Sequence, residues 1–294
     1  MSWRTVVISS RAKLDFKMNY LIIRQGIEET RVFIKEIAVL LIESTAVSLT
    51  SYIVCELIKH NVVIVFCDHE KLPQSNLLPL YGTRDTLVKV TSQFSWTDTS
   101  KAKVWQQIVS NKIANQRYIM ELFKSDLKSL QLMDMHKREV KLCDSSNREA
   151  IAAQLYFKTI FGKDFSRDKD CCINSMLNYG YTIVLSVIAR EVVSDGYLTQ
   201  VGIKHCKATN SFNLACDLME PFRPLVDFLV KKYTLDSNIF DTKAKHYLLS
   251  IFDLDLKIHG QKQKLISAIR YYVLSVFKSL NSNQDDCLEV SYEL

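Results

Sequence analysis

The first part of the chain alternates apolar and polar residues with the two-residue period of β-strands. Between residues 3 and 43, five such segments follow one another, RTVVIS, AKLDFKM, YLIIRQ, TRVFIKE and AVLLIES, separated by small polar clusters. From Ser48 the apolar residues recur at helical spacing, and the run VVIVFC that follows is typical of a buried strand. The pattern predicts a small β-sandwich-like domain with one helix at residues 1–80.

A different pattern fills the rest of the chain. The segment from Asp68 to Arg84 holds two of the four prolines and one of the seven glycines, so we expect a linker there. Beyond it, apolar residues recur with the 3.6-residue period of helices over residues 104–127, 147–161, 173–194, 213–231, 243–253 and 262–280. The whole pattern predicts an α+β protein in which a larger all-helical domain, residues 81–294, follows the β-rich domain.

Composition limits the class of protein without changing this picture. Hydrophobic residues make up 48% and charged residues 24% of the 294 residues, as in folded globular proteins. Every apolar run is far shorter than the roughly 18 residues of a membrane-spanning helix. The first residues lack the pattern of a secretory signal. We therefore expect a cytoplasmic protein that does not enter a membrane.

The charge distribution favours a polyanionic partner. The formal net charge is +6, and residues 101–143 alone contain nine Lys or Arg against four Asp or Glu. A basic helical surface of this kind attracts the phosphates of a nucleic acid. A solvated surface face would explain the same residues.

Several well-known chemical motifs are missing from the sequence. There is no GxGxxG or P-loop for nucleotide phosphates, no GxSxG turn and no HExxH helix. The eight cysteines show no CxxC spacing, which argues against a zinc ribbon. These absences exclude the commonest nucleotide-binding, serine hydrolase and zinc protease sites.

Glu149 is the first candidate for a functional carboxylate. In SSNREAIAAQLYF it shares a helix flank with Ala153 and Tyr156, so its carboxylate leans toward the core. The spacing Ser146-x-x-Glu149 also fits a capping box, in which the same carboxylate would accept a backbone N–H bond at the start of the helix. The sequence leaves both interpretations open.

Asp217 and Glu220 form a second acidic group. They lie three residues apart and therefore on one helix face, and Pro221 kinks the helix directly after them. Close like charges need a cation between them, so a divalent metal is one explanation, and a helix-start acidic pair is the other. His205 lies in the polar loop before this helix and would suit Mg²⁺ or Mn²⁺ as a ligand, unless it is only packed or solvated.

Two amide side chains on the helix predicted at residues 173–194 are the last candidates for a functional role. Asn174 and Asn178 occupy one face at a spacing of four residues. They could orient metal-bound groups, or they could bond to neighbouring helices, which is the commoner outcome for buried amides.

Four segments, in this order, resemble the adaptation integrase family of CRISPR-associated proteins: REAIAAQLYFKTIFG, NSMLNYGYTIV, GIKH and FNLACDLMEPFRPLVD. They span residues 148–227, and the strand-rich start with a helical remainder is similar to the two-domain plan of the family. Glutamate at position 220, within DLMEPFRP, is similar to the type II branch, where other branches commonly have aspartate. The sequence is therefore identified as a member of this family.

The resemblance also implies roles for individual residues. Glu149, His205 and Glu220 would be the catalytic residues and the ligands of Mg²⁺ or Mn²⁺. The residues expected to surround and orient these ligands are Asp217, Asn178, Asn174 and Tyr179. The side chains expected to contact DNA are Arg148, Lys204, Lys207 and Arg223.

The implied activity is that of a metal-dependent DNA integrase and endonuclease of antiviral defence. It inserts protospacer DNA into the repeat array through attack of DNA 3′-hydroxyls on repeat phosphodiesters, without ATP. The expected assembly is a homodimer formed through the β-rich domains, joined to a small ferredoxin-like adaptation partner in a heterohexamer in the prokaryotic cytoplasm. The RNA-guided nuclease of type II systems is a further expected partner. The alternative is a non-catalytic nucleic-acid-binding scaffold.

Overall fold

The computed structural model describes residues 3–80, 83–258, 260–282 and 289–294. The described residues form eleven strands: Arg4–Ile8 (β1), Ala12–Lys17 (β2), Tyr20–Gln25 (β3), Glu28–Phe33 (β4), Ile37–Ile42 (β5), Val47–Leu49 (β6), Val63–Cys67 (β7), Pro73–Leu77 (β8), Asp255–Ile258 (β9), Gln261–Lys264 (β10) and Val290–Tyr292 (β11). They also form ten α-helices: Ser51–Lys59 (α1), Thr86–Phe94 (α2), Asp98–Leu122 (α3), Leu127–Arg138 (α4), Arg148–Phe161 (α5), Cys172–Ser194 (α6), Asn213–Met219 (α7), Arg223–Thr234 (α8), Thr242–Leu249 (α9) and Leu265–Ser282 (α10).

The N-terminal strands form two four-stranded sheets. The first has the order β1-β5-β7-β8, in which β1, β5 and β7 are parallel and β8 is antiparallel to β7. The second has the order β4-β3-β2-β6. Apolar residues of both sheets and of α1 share one core. The predicted sheet-rich N-terminal region with its helix is therefore present.

Strand β5 lies inside its sheet and connects this region to the helices. All six of its residues are buried. Leu40 and Ile42 belong to the core between the two sheets, whereas Val39 and Leu41 belong to a second core that includes the helices. Because successive side chains of a strand point to opposite faces, a strand covered on both faces is apolar throughout.

The predicted linker between Asp68 and Arg84 is wrong over its first half. The carboxylate of Asp68 accepts backbone N–H bonds from Glu70 and Leu72, both at 2.9 Å, and so forms the turn after β7. Strand β8 then returns beside β7 as the edge of the sheet. Pro73 is compatible with this strand because an edge position does not need its N–H. Residues 81 and 82 of the predicted linker lie outside the described ranges.

The helical region is arranged around α3, which packs against α4, α5, α8 and α10. Helices are present at each predicted segment, and the structure adds α2, which the periodicity did not reveal. Between α7 and α8 the chain forms a 3-10 turn over Glu220–Phe222. Pro221 lacks the N–H that an uninterrupted helix would need there, so the predicted kink is confirmed.

The prediction that the C-terminal region is entirely helical is wrong. Strand β9 pairs with β10 through a turn at Gly260 and with β11 on its other side, which gives a three-stranded antiparallel sheet. Residues 262–264 were expected to begin a helix but lie in β10. Val290 and Tyr292 of β11 are buried. The short strands carry too few residues for their two-residue period to stand out from the neighbouring helical pattern.

Helix α6 is long and apolar enough to cross a membrane by length and composition alone. However, 67% of its apolar window is buried inside the protein. This burial is typical of the central helix of a folded core.

Gly180 allows α6 to approach α8 closely. A Cβ atom built at this position would overlap the Cγ1 atom of Val226 in α8. Val226 is β-branched and 1% exposed, so it has little freedom to move aside. The absence of a side chain at Gly180 therefore sets the distance between the two helices.

We expect Gly180→Ala to lower the free energy of unfolding by about 1–3 kcal/mol, because overpacking at Val226 outweighs the better helix propensity of alanine. Chemical denaturation of Gly180→Ala, Val226→Ala and the double variant measures the coupling. The loss caused by Gly180→Ala should be smaller in the Val226→Ala background. An equal loss of unfolding free energy in the wild type and in Val226→Ala would contradict the close packing of Gly180 against Val226.

Candidate active site

Three separate elements bring two glutamates and one lysine together. Glu149 lies in the first turn of α5, Glu220 lies in the turn between α7 and α8, and Lys112 lies in the middle of α3. The Nζ atom of Lys112 donates to Oε1 of Glu149 at 2.7 Å and to Oε2 of Glu220 at 2.5 Å. Two carboxylates that are 71 residues apart in the chain therefore share one cation position.

The second oxygen of Glu220 has a cation of its own. Nε of Arg223 donates to Oε1 of Glu220 at 2.8 Å. The guanidinium also lies over the ring of Tyr181, 4.8 Å from its centroid. Burial by itself would raise the pKa of Glu220, but Arg223 and Lys112 together lower it below its ordinary value. Glu220 is therefore ionised at neutral pH.

Lys112 is charged although it is only 8% exposed. Burial would lower its pKa, but Glu220 and Glu149 raise it, and the net shift is upward. Two carboxylates, one ammonium and one guanidinium thus balance one another inside the protein. This arrangement meets the requirement that buried charges be paired and hydrogen-bonded.

Glu149 is not the cap of its helix. The backbone N–H groups of Arg148 and Glu149 donate to the carboxylate of Asp144, at 2.8 and 3.0 Å. The hydroxyl of Ser146 donates to the carbonyl of Glu139 instead. The capping-box alternative is therefore wrong, because Asp144 satisfies the donors and leaves the carboxylate of Glu149 free to reach the site.

Asp217 holds the loop that carries His205. It is fully buried, and its carboxylate accepts backbone N–H bonds from Ile203, Lys204 and His205 at 2.6 to 3.1 Å. It also lies 2.6 Å from Nδ1 of His205. We assign the proton to Nδ1, since a carboxylate is an acceptor, which leaves Nε2 as the nitrogen able to coordinate a ligand.

The position of the His205 ring is fixed on two sides. Its edge meets the ring of Trp105 with the centroids 5.9 Å apart. The hydrogen bond to Asp217 raises the pKa of His205, and the charges of Glu220 and Glu149 act in the same direction. The ring is therefore held between Asp217 and Trp105.

Gly202 is required by the same loop. A Cβ atom at this position would overlap the carbonyl of His205 and would lie 2.8 Å from Oδ2 of Asp217. Any side chain at Gly202 would push the loop away from the carboxylate that anchors it. Glycine is used here because the backbone must approach closely.

The structure places three of the expected supporting residues away from the glutamates. Asn174 and Asn178 accept bonds from the guanidinium of Arg167, at 2.5 and 2.7 Å. Arg167 in turn lies over the ring of Tyr181, on which Arg223 also lies. The two amides are thus several contacts removed from Glu220, and the expectation of direct contact with the ligands is wrong.

Tyr179 is a core residue, with its ring edge against Phe240 and only 2% of the residue exposed. Desolvation raises the pKa of its hydroxyl. These contacts place Tyr179 in the core of the helical region, so packing is the role that its surroundings support.

The four side chains expected to contact DNA differ in how free they are to bind a phosphate. Lys207 is exposed, and exposed Lys204 lies 3.2 Å from the carbonyl of Cys143. Arg148 pairs with Glu139 at 2.6 Å, and Arg223 is committed to Glu220. Arg223 is half-buried and already paired with Glu220, so it does not fit the role expected of it as well as the exposed lysines do.

The donor set fits a divalent ion in chemistry, although its metal-free arrangement is not that of a finished metal site. Within the described ranges, no three His, Cys, Asp or Glu side chains are grouped so as to hold a metal. The ammonium of Lys112 lies where both carboxylates converge, so it occupies the place that another cation could take. Carboxylate oxygens with one imidazole nitrogen suit Mg²⁺ or Mn²⁺.

Sequence reasoning missed three residues on which the site depends: Lys112, Asp144 and Gly202. Lys112 follows the buried Ile108 by four residues, so it lies on the apolar stripe of α3, and that position was the available signal. Asp144 precedes α5 by four residues and is a residue type that caps helices, which was the signal for its role.

The sequence of this chain matches a known protein family. Residues 5–252 match the model of the family described as CRISPR associated protein Cas1. A CRISPR-associated endonuclease Cas1 from Neisseria meningitidis serogroup C is 34% identical over 278 residues, which cover 94% of this chain and 91% of the relative. A second such endonuclease, from Francisella tularensis subsp. novicida, is 25% identical over 87% of this chain and 94% of its own.

Solved structures show the same fold. A casposase bound to its integration product has a TM-score of 0.75 at 20% identity and covers 97% of this chain and 92% of that chain. A Cas1 protein from Thermotoga maritima has a TM-score of 0.74 at 15% identity, over 94% of this chain and 97% of that chain. The chain belongs to the Cas1 family of CRISPR-associated endonucleases, as its motifs predicted, and the type II assignment is consistent with the Neisseria relative.

We expect Asp217→Asn to lower the pKa of His205, because the charged acceptor at Nδ1 is lost. The change is measured by NMR titration of the imidazole in metal-free protein. In the wild type, the elevated pKa adds stability below about pH 6.5, and this contribution is lost as the pH rises through the folded-state pKa.

Asp195→Asn is the matched control, since Asp195 pairs with Lys89 at 3.5 Å in a different part of the fold. It should leave the titration of His205 unchanged. An unaltered pKa of His205 in Asp217→Asn would show that Asp217 does not set its charge.

Proposed function

We propose that this chain is a Mg²⁺- or Mn²⁺-dependent DNA integrase and endonuclease of CRISPR adaptation. Glu149, His205 and Glu220 would hold the ion. The observation that carries the proposal is the shared cation position between Glu149 and Glu220. The imidazole of His205, whose Nε2 is left for coordination by the bond from Nδ1 to Asp217, supports it. Its membership of the Cas1 family and the casposase-like fold support the same reaction class.

The reaction proposed is a phosphoryl transfer. A DNA 3′-hydroxyl attacks a repeat phosphodiester in line, and another 3′-hydroxyl leaves, so one phosphodiester bond forms as one breaks and no ATP is needed. A bound divalent ion supplies Lewis-acid polarisation of the scissile phosphate and stabilises the charge on its oxygens.

The protein side chains contribute orientation. Asp217 fixes the tautomer of His205, with the proton on Nδ1, so that Nε2 is directed away from the anchoring carboxylate. Arg223 holds one oxygen of Glu220 in place and leaves the other available to the shared position. Asp144 fixes the start of α5 and thereby the backbone of Glu149.

DNA would reach this site over a basic surface. Lys204 and Lys207 are exposed on the loop that carries His205. The exposed cations on and after α4 are Lys128, Arg138 and Lys141. Contacts of this kind neutralise phosphates without reading sequence and weaken as salt increases.

The assembly is proposed from the family and its structural neighbours. A Cas6-RT-Cas1–Cas2 complex has a TM-score of 0.72 at 16% identity, covering 99% of this chain and 36% of that chain. We propose a homodimer that joins a small ferredoxin-like partner, with residues 1–80 as the dimerisation domain and residues 81–294 as the catalytic domain. The RNA-guided nuclease of type II systems is a further partner, and the cytoplasm of a prokaryote is the setting.

One observation favours a second function, a non-catalytic nucleic-acid-binding scaffold. Lys112 already neutralises the carboxylates, so the cluster is complete as a structural ion pair without any metal. The scaffold binds DNA but performs no strand transfer.

We expect the chain, mixed with its small partner, Mn²⁺, a DNA duplex with free 3′-hydroxyls and a repeat-containing plasmid, to yield joined DNA. His205→Ala and Glu220→Ala should each reduce the joined product by about 100-fold or more, because each removes a group acting at the reacting phosphate. Gel analysis of labelled duplex measures the product.

The matched controls are His69→Ala and Glu121→Ala, which remove exposed side chains outside the site. Both should retain wild-type yield. Joining that persists in His205→Ala and Glu220→Ala would contradict the proposed catalytic residues. DNA binding with no joining by any protein would favour the scaffold.

A further inference from the structure

Lys112 occupies the position that the proposed function assigns to a metal. Its ammonium contacts one oxygen of Glu149 and one of Glu220, and the three side chains come from α3, α5 and the turn before α8. Lys112 and Glu220 are 8% and 3% exposed, so water offers little competition for these contacts. The position between the two carboxylates is therefore filled by a cation of the protein itself.

The charges at this position are already balanced. Glu149 and Glu220 carry two negative charges, and Lys112 and Arg223 carry two positive ones. A divalent ion on the same carboxylate oxygens would lie in contact with the ammonium, and repulsion between such charges is strong at low dielectric. The ammonium and the ion therefore exclude each other.

Displacement of the lysine requires no movement of its helix. A lysine carries its charge on a flexible four-carbon stem, so the ammonium can withdraw while α3 remains packed. Arg223 has less freedom, since its planar group is held by Glu220 and lies over Tyr181. The lysine is thus the cation that leaves.

We infer that Lys112 is the built-in counter-ion of the metal-free site and competes directly with the divalent cation for Glu149 and Glu220. This inference rests on the proposed metal site. Lys112 is a positioning residue: it keeps the two carboxylates converged before the metal arrives and weakens metal binding by the free energy needed to displace it. Loading with metal then releases a positive charge beside the reacting phosphate.

A purely structural ion pair makes a different prediction. In that case, removal of the ammonium loosens the carboxylates, and metal affinity stays the same or falls. If Lys112 competes with the metal, removal of its ammonium raises the affinity for the divalent ion although the protein without metal becomes less stable. The two readouts together separate these cases.

The experiment is calorimetric titration of Mn²⁺ into the full-length, metal-stripped protein. Lys112→Met keeps the length of the side chain without the charge, and it should bind Mn²⁺ on the order of 10-fold more tightly than the wild type. Its melting temperature without metal should be lower, and its rise in melting temperature with Mn²⁺ should be larger. Lys112→Arg restores a positive charge and should return the affinity toward the wild-type value.

Two variants serve as references for this titration. Lys101→Met, on the same helix but paired with Asp98 at 3.4 Å, should leave Mn²⁺ affinity unchanged. Glu149→Gln should abolish Mn²⁺ binding, which tests the proposed metal site separately from the role of Lys112.

Unchanged or weaker Mn²⁺ binding by Lys112→Met, alongside loss of binding in Glu149→Gln, would overturn the inference while leaving the metal site intact. Absence of Mn²⁺ binding in the wild type and in Lys112→Met would overturn the metal site itself. If Lys112→Met does not fold without metal, thermal unfolding at increasing Mn²⁺ decides: folding recovered by Mn²⁺ supports competition, and no recovery contradicts it.

Discussion

The candidate site depends on charge balance around the ammonium of Lys112. Glu149 and Glu220 reach this position from distant parts of the chain, and the buried Glu220 could not remain an unpaired carboxylate there without a large cost in free energy. Lys112 pairs with both carboxylates and so connects α3, α5 and the turn that follows α7. Under the proposed function, a divalent ion would have to replace this interaction to bind between the two carboxylates.

The surrounding fold fixes this cluster through backbone contacts. Asp217 ties down the loop of His205, and Asp144 begins the helix of Glu149. The helix is interrupted at Pro221, so the buried carbonyl of this residue accepts hydrogen bonds from the side chains of Asn115 in α3 and Tyr292 in β11. The last strand of the chain thus supports the turn that carries Glu220. Removal of the side chain of Asn115 or Tyr292 would take a hydrogen bond from this buried carbonyl and so disturb the turn that carries Glu220.

The sequence predicted much of this arrangement because the relevant patterns were local. Strands β1 to β5 followed from short segments rich in Val, Ile and Phe between polar clusters, and the motif segments singled out Glu149, His205 and Glu220 as candidates. Lys112, the partner of Glu149 and Glu220, was missed because a lysine on a basic helix resembles a solvated side chain, and only its place on the apolar stripe of α3 indicated otherwise. Strand β11 was missed for a similar reason, since its three residues become a strand only by pairing with β9.

The most direct test of the account is anomalous diffraction from crystals of the protein soaked with Mn²⁺. The account predicts one anomalous peak bonded to carboxylate oxygens of Glu149 and Glu220 and to Nε2 of His205, with the ammonium of Lys112 withdrawn from both acids. A saturating soak that leaves Lys112 bridging the two glutamates, with no manganese between them, would contradict it.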